Sequence, residues 1–431
     1  KIHDFIFFII YIQYMKKQDA LKMDSQDPIS WVKNEFDYGK GNKEDKIYFC
    51  GNSLGLKHRS LDIIVNRHLE QWKSEAVEAH FSGNYPWIEI QDRIKNILKD
   101  MLGCSSNEIA IMNALSLNLH LLMVSFFKPS KNKNKILIEE NAFSSDRYVV
   151  NSQLQFHGYD TSSVLDISFD KEYLIDEEIV IKKIIDNKET LSLVLLPGIQ
   201  YYNGQLIDLK KISKVCRDNG IVFGVDLAHA VGNVKIDLNE LDIDFATWCS
   251  YKYLNSGAGG ISGIYINKKH LKKDINRFEG WWGNKLSTRF EMEKNYDPDN
   301  SAEAWVLSNP PVILLDMHLA ALKVFDKVGI KNIFRKSKEL TAFLYNGLLL
   351  VDPEEFFFKI ITPSSKEKRG AQLSLLFKKN AKKVFEKLNK KFVVDYRKPD
   401  VIRVAPVPLY NSFYEIFLFI SELKKILNET K

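Results

Sequence analysis

Between about Asn113 and Ile266 short, mostly apolar runs alternate with amphipathic stretches. Residues 136–138, 193–196, 221–225, 245–248 and 261–266 read as strands buried on both faces, being too brief and too continuously apolar for surface helices. Stretches such as 209–219 read as the helices between them. That alternation predicts an α/β domain around a mainly parallel sheet, with functional residues gathered in loops at the carboxyl ends of its strands.

On the amino-terminal side, residues 52–99 carry a helical pattern, with Leu61, Ile64, His68 and Trp72 roughly on one side. On the carboxyl side, Asn309-Pro310-Pro311 precedes a long helix over 312–328, with Gly329 just past its end. Helices then mix with short strands at 372–377 and 401–405, which predicts a smaller α/β C-terminal domain. The expected organisation is a leader or non-native segment at 1–22 and an N-terminal arm and helix at 23–75. A large domain at 76–308 and a small domain at 309–431 follow.

Composition narrows the class. Of 431 residues 45% are hydrophobic and 27% charged, which fits a globular chain with a sizeable core. The excess of 61 basic over 55 acidic residues is mild. In the lysine-rich stretch 378–391, Ala381, Val384, Phe385 and Leu388 recur at helical spacing with lysines between them. This reads as a solvated helix face, so no nucleic-acid partner is expected. Cys50, Cys104, Cys216 and Cys249 lie far apart without a C-x-x-C pair, which argues against zinc and disulfides and for a reducing compartment, the cytoplasm. The apolar run 5–11 falls short of the ~20 residues that span a bilayer, and no small-x-small cleavage site follows it. It reads as upstream sequence, a leader or a packed arm, and no membrane partner is expected.

Two strand ends carry the chemistry. The run 221–226 stops on Asp226, which is either a ligand-binding acid or a helix cap; His229, three residues on, is either a loop histidine or a site residue. The run 244–249 leads into Ser250-Tyr251-Lys252 and then the glycine-rich stretch 257–260. A lysine beyond a buried strand is usually a surface residue. Paired with a strand-end aspartate 26 residues earlier, it matches what pyridoxal 5′-phosphate requires. The amine condenses with the aldehyde, and the carboxylate keeps the pyridine nitrogen protonated so that the ring takes up electrons. Ser116, at the start of a helix, is a cap or a phosphate contact. Phe143, opening Phe143-Ser144-Ser145-Asp146, is core by default, and otherwise an aromatic face for a planar ring.

These residues carry a resemblance. Gly51-Asn52-Ser53-Leu54-Gly55-Leu56, Asn113-Ala114-Leu115, the stretch from Asp226 to Asn233, Trp248 to Asn255, Ser308-Asn309-Pro310-Pro311 and Ile402 to Ser412 resemble the kynureninases, from about Ile47 to the C-terminus. The resemblance implies a fold-type-I pyridoxal-phosphate-dependent, transferase-like large domain with a smaller α/β C-terminal domain. It implies hydrolysis of L-kynurenine or 3-hydroxy-L-kynurenine to L-alanine and an anthranilate, within tryptophan catabolism and NAD biosynthesis, by a homodimer with shared active sites. By matching position, Lys252 is the Schiff-base lysine, Asp226 the partner of the ring nitrogen, and His229 a neighbour of the cofactor. Phe143 stacks on the ring, with Ser144, Ser145 and Asp146 in the same loop. Leu115, Ser116, Tyr251 and Trp281 hold the phosphate, Asn309 completes the site, and Tyr251 relays protons. Arg403 grips the substrate carboxylate, while His80 and Ser308 match positions near the substrate ring. Ser116 stands where threonine is common, and Pro197 where relatives have a serine beside the cofactor. The rival readings are a cysteine desulfurase or aminotransferase of the same fold, and a non-catalytic binding protein. A desulfurase needs an exposed cysteine, for which Cys249 is the nearest candidate.

Overall fold

The computed structural model describes residues 16–37 and 46–429, so the apolar run at 5–11 lies outside the described residues. The chain forms two compact units, a larger one of Ser60–Tyr201 and Leu206–Asp326, and a smaller one holding Tyr202–Gln205 and the described residues up to Arg59 and from Lys327 onward.

Seven strands build the sheet of the larger unit: β1 (Ile109–Ile111), β2 (Lys135–Glu139), β3 (Val164–Ile167), β4 (Leu191–Pro197), β5 (Val222–Asp226), β6 (Phe245–Trp248) and β7 (Gly263–Ile266). They lie in the order β1-β7-β6-β5-β4-β2-β3. The five strands from β6 to β3 pair in parallel, while β7 runs antiparallel to both its neighbours. The expected strands at 136–138, 193–196, 221–225, 245–248 and 261–266 all fall on members of this sheet. The central strands are buried on both faces, which is why their sequences are apolar rather than alternating. A Cβ on Gly224 would stand 2.1 Å from the ring of Phe245 on the neighbouring strand. Only glycine lets β5 run straight beside β6 to its end at Asp226.

Four helices bear on the site and its surroundings: α1 (Leu61–Glu75), α2 (Leu115–Phe126), α3 (Ser144–Phe156) and α4 (Val312–Val328), of which α2 and α3 share the core of the sheet. On α1, Leu61 and His68 are buried, while Trp72, roughly on the same side, is 61% exposed. The division between units falls at Arg59/Ser60 and Asp326/Lys327, where the sequence pattern had suggested 75/76 and 308/309. Arg67 on α1 pairs with the buried Asp316 on α4, Nη2 to Oδ1 2.9 Å, and His68 Nδ1 lies 3.4 Å from Oδ2, which ties the two helices together. Pro310-Pro311 lies inside this unit, just before α4.

The smaller unit has a four-stranded antiparallel sheet of β8 (Phe358–Ile360), β9 (Leu373–Phe377), β10 (Asp395–Arg397) and β11 (Val401–Val404), ordered β10-β11-β9-β8. The helices α5 (Ile330–Val351) and α6 (Phe413–Asn428) complete its core. A helix at Lys17–Ser25 belongs here too: Ala20 is fully buried, and Asp24 accepts hydrogen bonds from the first backbone N–H groups of α6 at 2.7 and 2.9 Å. Residues 17–22, grouped above with a leader, are therefore part of the fold. In the lysine-rich stretch, helix Ala381–Leu388 buries Ala381, Val384 and Leu388, and Lys382 and Lys383 point outward.

Replacing Gly224 by alanine should destabilise the fold by about 1–3 kcal/mol through overpacking. Urea unfolding should show most of that loss restored when Phe245→Leu is added; a neutral single variant would contradict the close-approach argument.

Candidate active site

Four neighbouring parallel strands, β6, β5, β4 and β2, end along one edge of the sheet, and their carboxyl ends open into a cleft of about 500 Å³, its mouth included. Each contributes wall residues. Glu139 closes β2; Pro197 closes β4, with Ile199 and Tyr201 beyond it; Asp226 closes β5, with Ala228 and His229 beyond it; Cys249, Tyr251 and Lys252 follow β6. The starts of α2 and α3 add Leu115, Ser116, Phe143, Ser145 and Asp146. The whole lining lies within the larger unit.

One end of the cleft is built for an anion. Helices of 12 and 13 residues, α2 and α3, begin here, and neither has a side chain capping its first turn. The N–H groups left over at such ends favour phosphate oxygens. Ser116 and Ser145, one from each helix, are hydrogen-bonded hydroxyl to hydroxyl. Ser116 thus serves the cleft rather than its own helix, whose cap position is Ala114.

The other end concentrates acids. Asp226 and Asp146 are buried and hydrogen-bonded to one another, which requires a proton between them. Burial raises both titrations, that of Asp146 far above the usual carboxylate range, while the charge on Lys252 pulls them back down. Asp226 Oδ1 also accepts the Ala228 N–H at 2.7 Å, closing a turn rather than capping a helix. Glu139, which sequence reasoning passed over, is pushed up to about 8 by burial, with Gln200 Nε2 donating to it at 3.3 Å.

Between these ends lies half-buried Lys252, with Nζ 2.9 Å from His229 Nε2 and 5.8 Å from the centre of the Phe143 ring. Phe143 is 42% exposed and meets Tyr201 edge-on, so it is a wall residue and not core. Burial pushes the Tyr251 phenol up. Ser250 turns away from the cleft, its hydroxyl bonded to the Ile261 carbonyl.

Several expected site residues lie elsewhere. Ser144 is exposed and outside the lining. His80 and Asn309 form a separate pair 3.3 Å apart, with Ser308 exposed beside them, and His80 sits edge-on to Trp87. Trp281 is 43% exposed, and its indole N–H donates to the Arg289 carbonyl at 2.7 Å. Arg403 belongs to the smaller unit, fully buried, paired with Asp395 and donating to Ser53 at 3.3 Å.

An anion cradle, an aromatic face, a lysine and a buried acid pair fit a planar, phosphorylated aldehyde with a basic ring nitrogen. Fold and cleft together define a fold-type-I enzyme dependent on pyridoxal 5′-phosphate. The fold agrees with that of a cysteine desulfurase from Escherichia coli, at a TM-score of 0.75 over 93% of this chain and 98% of that one, with 14% identity. Sequence comparison is more specific. The chain is 43% identical to a kynureninase of Christiangramia forsetii over 95% of its length and 97% of the relative's, and 40% identical to one of Nematostella vectensis over 96% and 94%. Residues 333–423 match the kynureninase C-terminal domain family. The chain belongs to the kynureninase family.

Asp226→Asn should keep or raise the stability of the apoprotein, because burial disfavours the charge it removes. It should lower turnover at least tenfold, about 1.4 kcal/mol in barrier. Thermal melts and steady-state rates on one preparation check both halves; turnover within about threefold of wild type would contradict the role.

Proposed function

We propose that this protein hydrolyses L-kynurenine or 3-hydroxy-L-kynurenine, adding water across the bond between the side-chain β and γ carbons to release L-alanine and anthranilate or 3-hydroxyanthranilate. The observation that carries the reading is the meeting of Lys252, Asp226 and the two uncapped helix starts in one cleft of a chain so similar to kynureninases. Pyridoxal phosphate, when bound, supplies an electron sink for the substrate's amino-acid carbons.

The chain's own residues do the rest. Ser116, Ser145 and the N–H groups opening α2 and α3 would hold the phosphate, Phe143 would offer its face to the ring, and Asp226, backed by Asp146, would keep the ring nitrogen protonated. Lys252 takes the proton from the substrate α-carbon and returns it. His229, 2.9 Å away, steers that amine. Tyr251 retains its phenolic proton at working pH, since burial raises its titration, and so can pass it to the departing side of the substrate. By its match to the kynureninases Arg403 is assigned to the substrate carboxylate, a role its planar guanidinium suits. His80, Ser308 and Asn309 take the aromatic end. Pro197 has no hydroxyl to offer the cofactor. The desulfurase alternative fails on Cys249, which is 3% exposed, lies 3.7 Å from the Ala228 carbonyl, and is made less acidic by burial.

The working unit is a homodimer in the cytoplasm. Support comes from an apolar surface on the larger unit, where edge-on contacts of 5.5 Å link Phe81, Phe290 and Trp281, all exposed, next to Met292 at 75% exposure. A second copy would cover such a patch, and Trp281 would then approach the phosphate of the neighbouring site. Among the described residues no helix is long and apolar enough to cross a membrane.

The direct test is to incubate the purified protein with pyridoxal phosphate and 3-hydroxykynurenine and to look for equimolar alanine and 3-hydroxyanthranilate. Alanine from cysteine instead would overturn the reading. Lys252→Ala should lose the visible absorbance of the bound cofactor and nearly all turnover, and borohydride reduction of the wild type followed by peptide mapping should find the pyridoxyl group on Lys252. A label on another lysine would reject that residue. Mixing Lys252→Ala with Trp281→Ala chains should restore roughly a quarter of wild-type activity, since half the dimers are hybrids with one intact site. No recovery in verified hybrids would reject site sharing.

A further inference from the structure

Glu139 is a buried acid that the reaction as set out above does not use. It ends β2 inside the cleft, at 2% exposure. One carboxyl oxygen accepts from Gln200 Nε2 at 3.3 Å, an amide that also donates to the Asn141 carbonyl at 3.1 Å. The other oxygen is buried with no hydrogen-bond partner. Such an oxygen is costly as part of a carboxylate and far less so as an O–H group.

The surrounding charges favour the neutral form. Asp226 at the end of β5 and Asp146 on α3 act on or are acted on by Glu139 as like charges. Of the cations, Lys252 faces the two aspartates. Arg147 on α3 favours ionisation of Glu139, but its guanidinium is committed to the Glu139 backbone carbonyl at 2.7 Å and to Asp166 at 2.5 Å. Gln200 after β4 favours the charged form, more weakly than burial opposes it. His229 and Tyr251 complete the wall. Three acids thus share a site in which one lysine is the cation lining the cleft.

We infer that Glu139 is a third acid of this cleft, a positioning residue whose neutral carboxyl limits the negative charge around the Asp146–Asp226 pair and so sets how firmly that pair holds a proton at the ring nitrogen. Its bearing on the reaction rests on the cofactor reading above. When Glu139 ionises, a second negative charge enters a site with little water to screen it, and every neighbouring proton is held more tightly.

The experiment has an apoprotein arm and a holoenzyme arm. In the folded protein Glu139 titrates near 8 against an ordinary 4.5, so the stability it contributes is complete below 4.5 and lost as pH rises through about 8. Melting temperatures of the apoprotein should therefore fall with pH in the wild type and fall less in Glu139→Gln; parallel curves would overturn the inference. In the holoenzyme, Glu139→Gln should lower the pH midpoint of the visible absorbance of bound pyridoxal phosphate by roughly half to one unit. An unmoved midpoint would show Glu139 to be only structural. Should Glu139→Gln not fold, Gln200→Met decides: removing the amide should move the wild-type stability loss to higher pH, and no movement counts against the inference. Wild type that neither binds pyridoxal phosphate nor cleaves kynurenine would sink the cofactor reading, while the apoprotein curves would still judge Glu139.

Discussion

Asp226 must hold its carboxyl out of water and still face a ligand, and much of the larger unit answers that requirement. A parallel strand meets it well. Strand neighbours on both sides and burial on both faces keep β5 dry to its last residue, and the strand stops where the sheet edge opens. Gly224 lets Phe245 close over the strand two residues earlier. Asp146 comes from the helix after β2 and shares a hydrogen bond with Asp226, while Lys252 follows β6. Each partner reaches the acid because strand order, not sequence order, makes β2, β4, β5 and β6 neighbours.

The site is consequently strained in charge rather than in backbone. Asp226, Asp146 and Glu139 all titrate above their ordinary ranges because burial outweighs the compensating hydrogen bonds and the lysine. A fold selected only for stability would place apolar residues there. Acids retained at such a position are a signature of function, and a cationic ring is the partner that relieves them. Cofactor binding should therefore stabilise this unit by more than its contact area alone would give.

What was legible in the sequence follows from the same geometry. Apolar strands that stop on a polar residue announce themselves, so Asp226 and Lys252 stood out, and Ser116 and Phe143 were visible as openings of helices. Glu139 was not visible because it stands in Glu139-Glu140, and only the point at which the buried strand ends decides that the first is buried and the second exposed. Gln200 and Tyr201 lie in a loop without periodicity. No local pattern encodes the attachment of α1 to α4, since Arg67 and His68 meet Asp316 some 250 residues away. Nor does helical period alone say that Trp72, on the same side as Leu61 and His68, stays exposed.

The two uncapped helix starts have a consequence for handling the protein. Capping side chains would have quieted those N–H groups when the cleft is empty; here nothing within the helices does so. Stripped of its cofactor, the cleft is a general oxyanion trap, open to inorganic phosphate, sulfate or any small phosphomonoester. Buffer choice then becomes a competitor in reconstitution. Phosphate that settles first must leave before pyridoxal phosphate can seat its own tail, so the speed of reloading reports on the salt in the tube as much as on the cofactor.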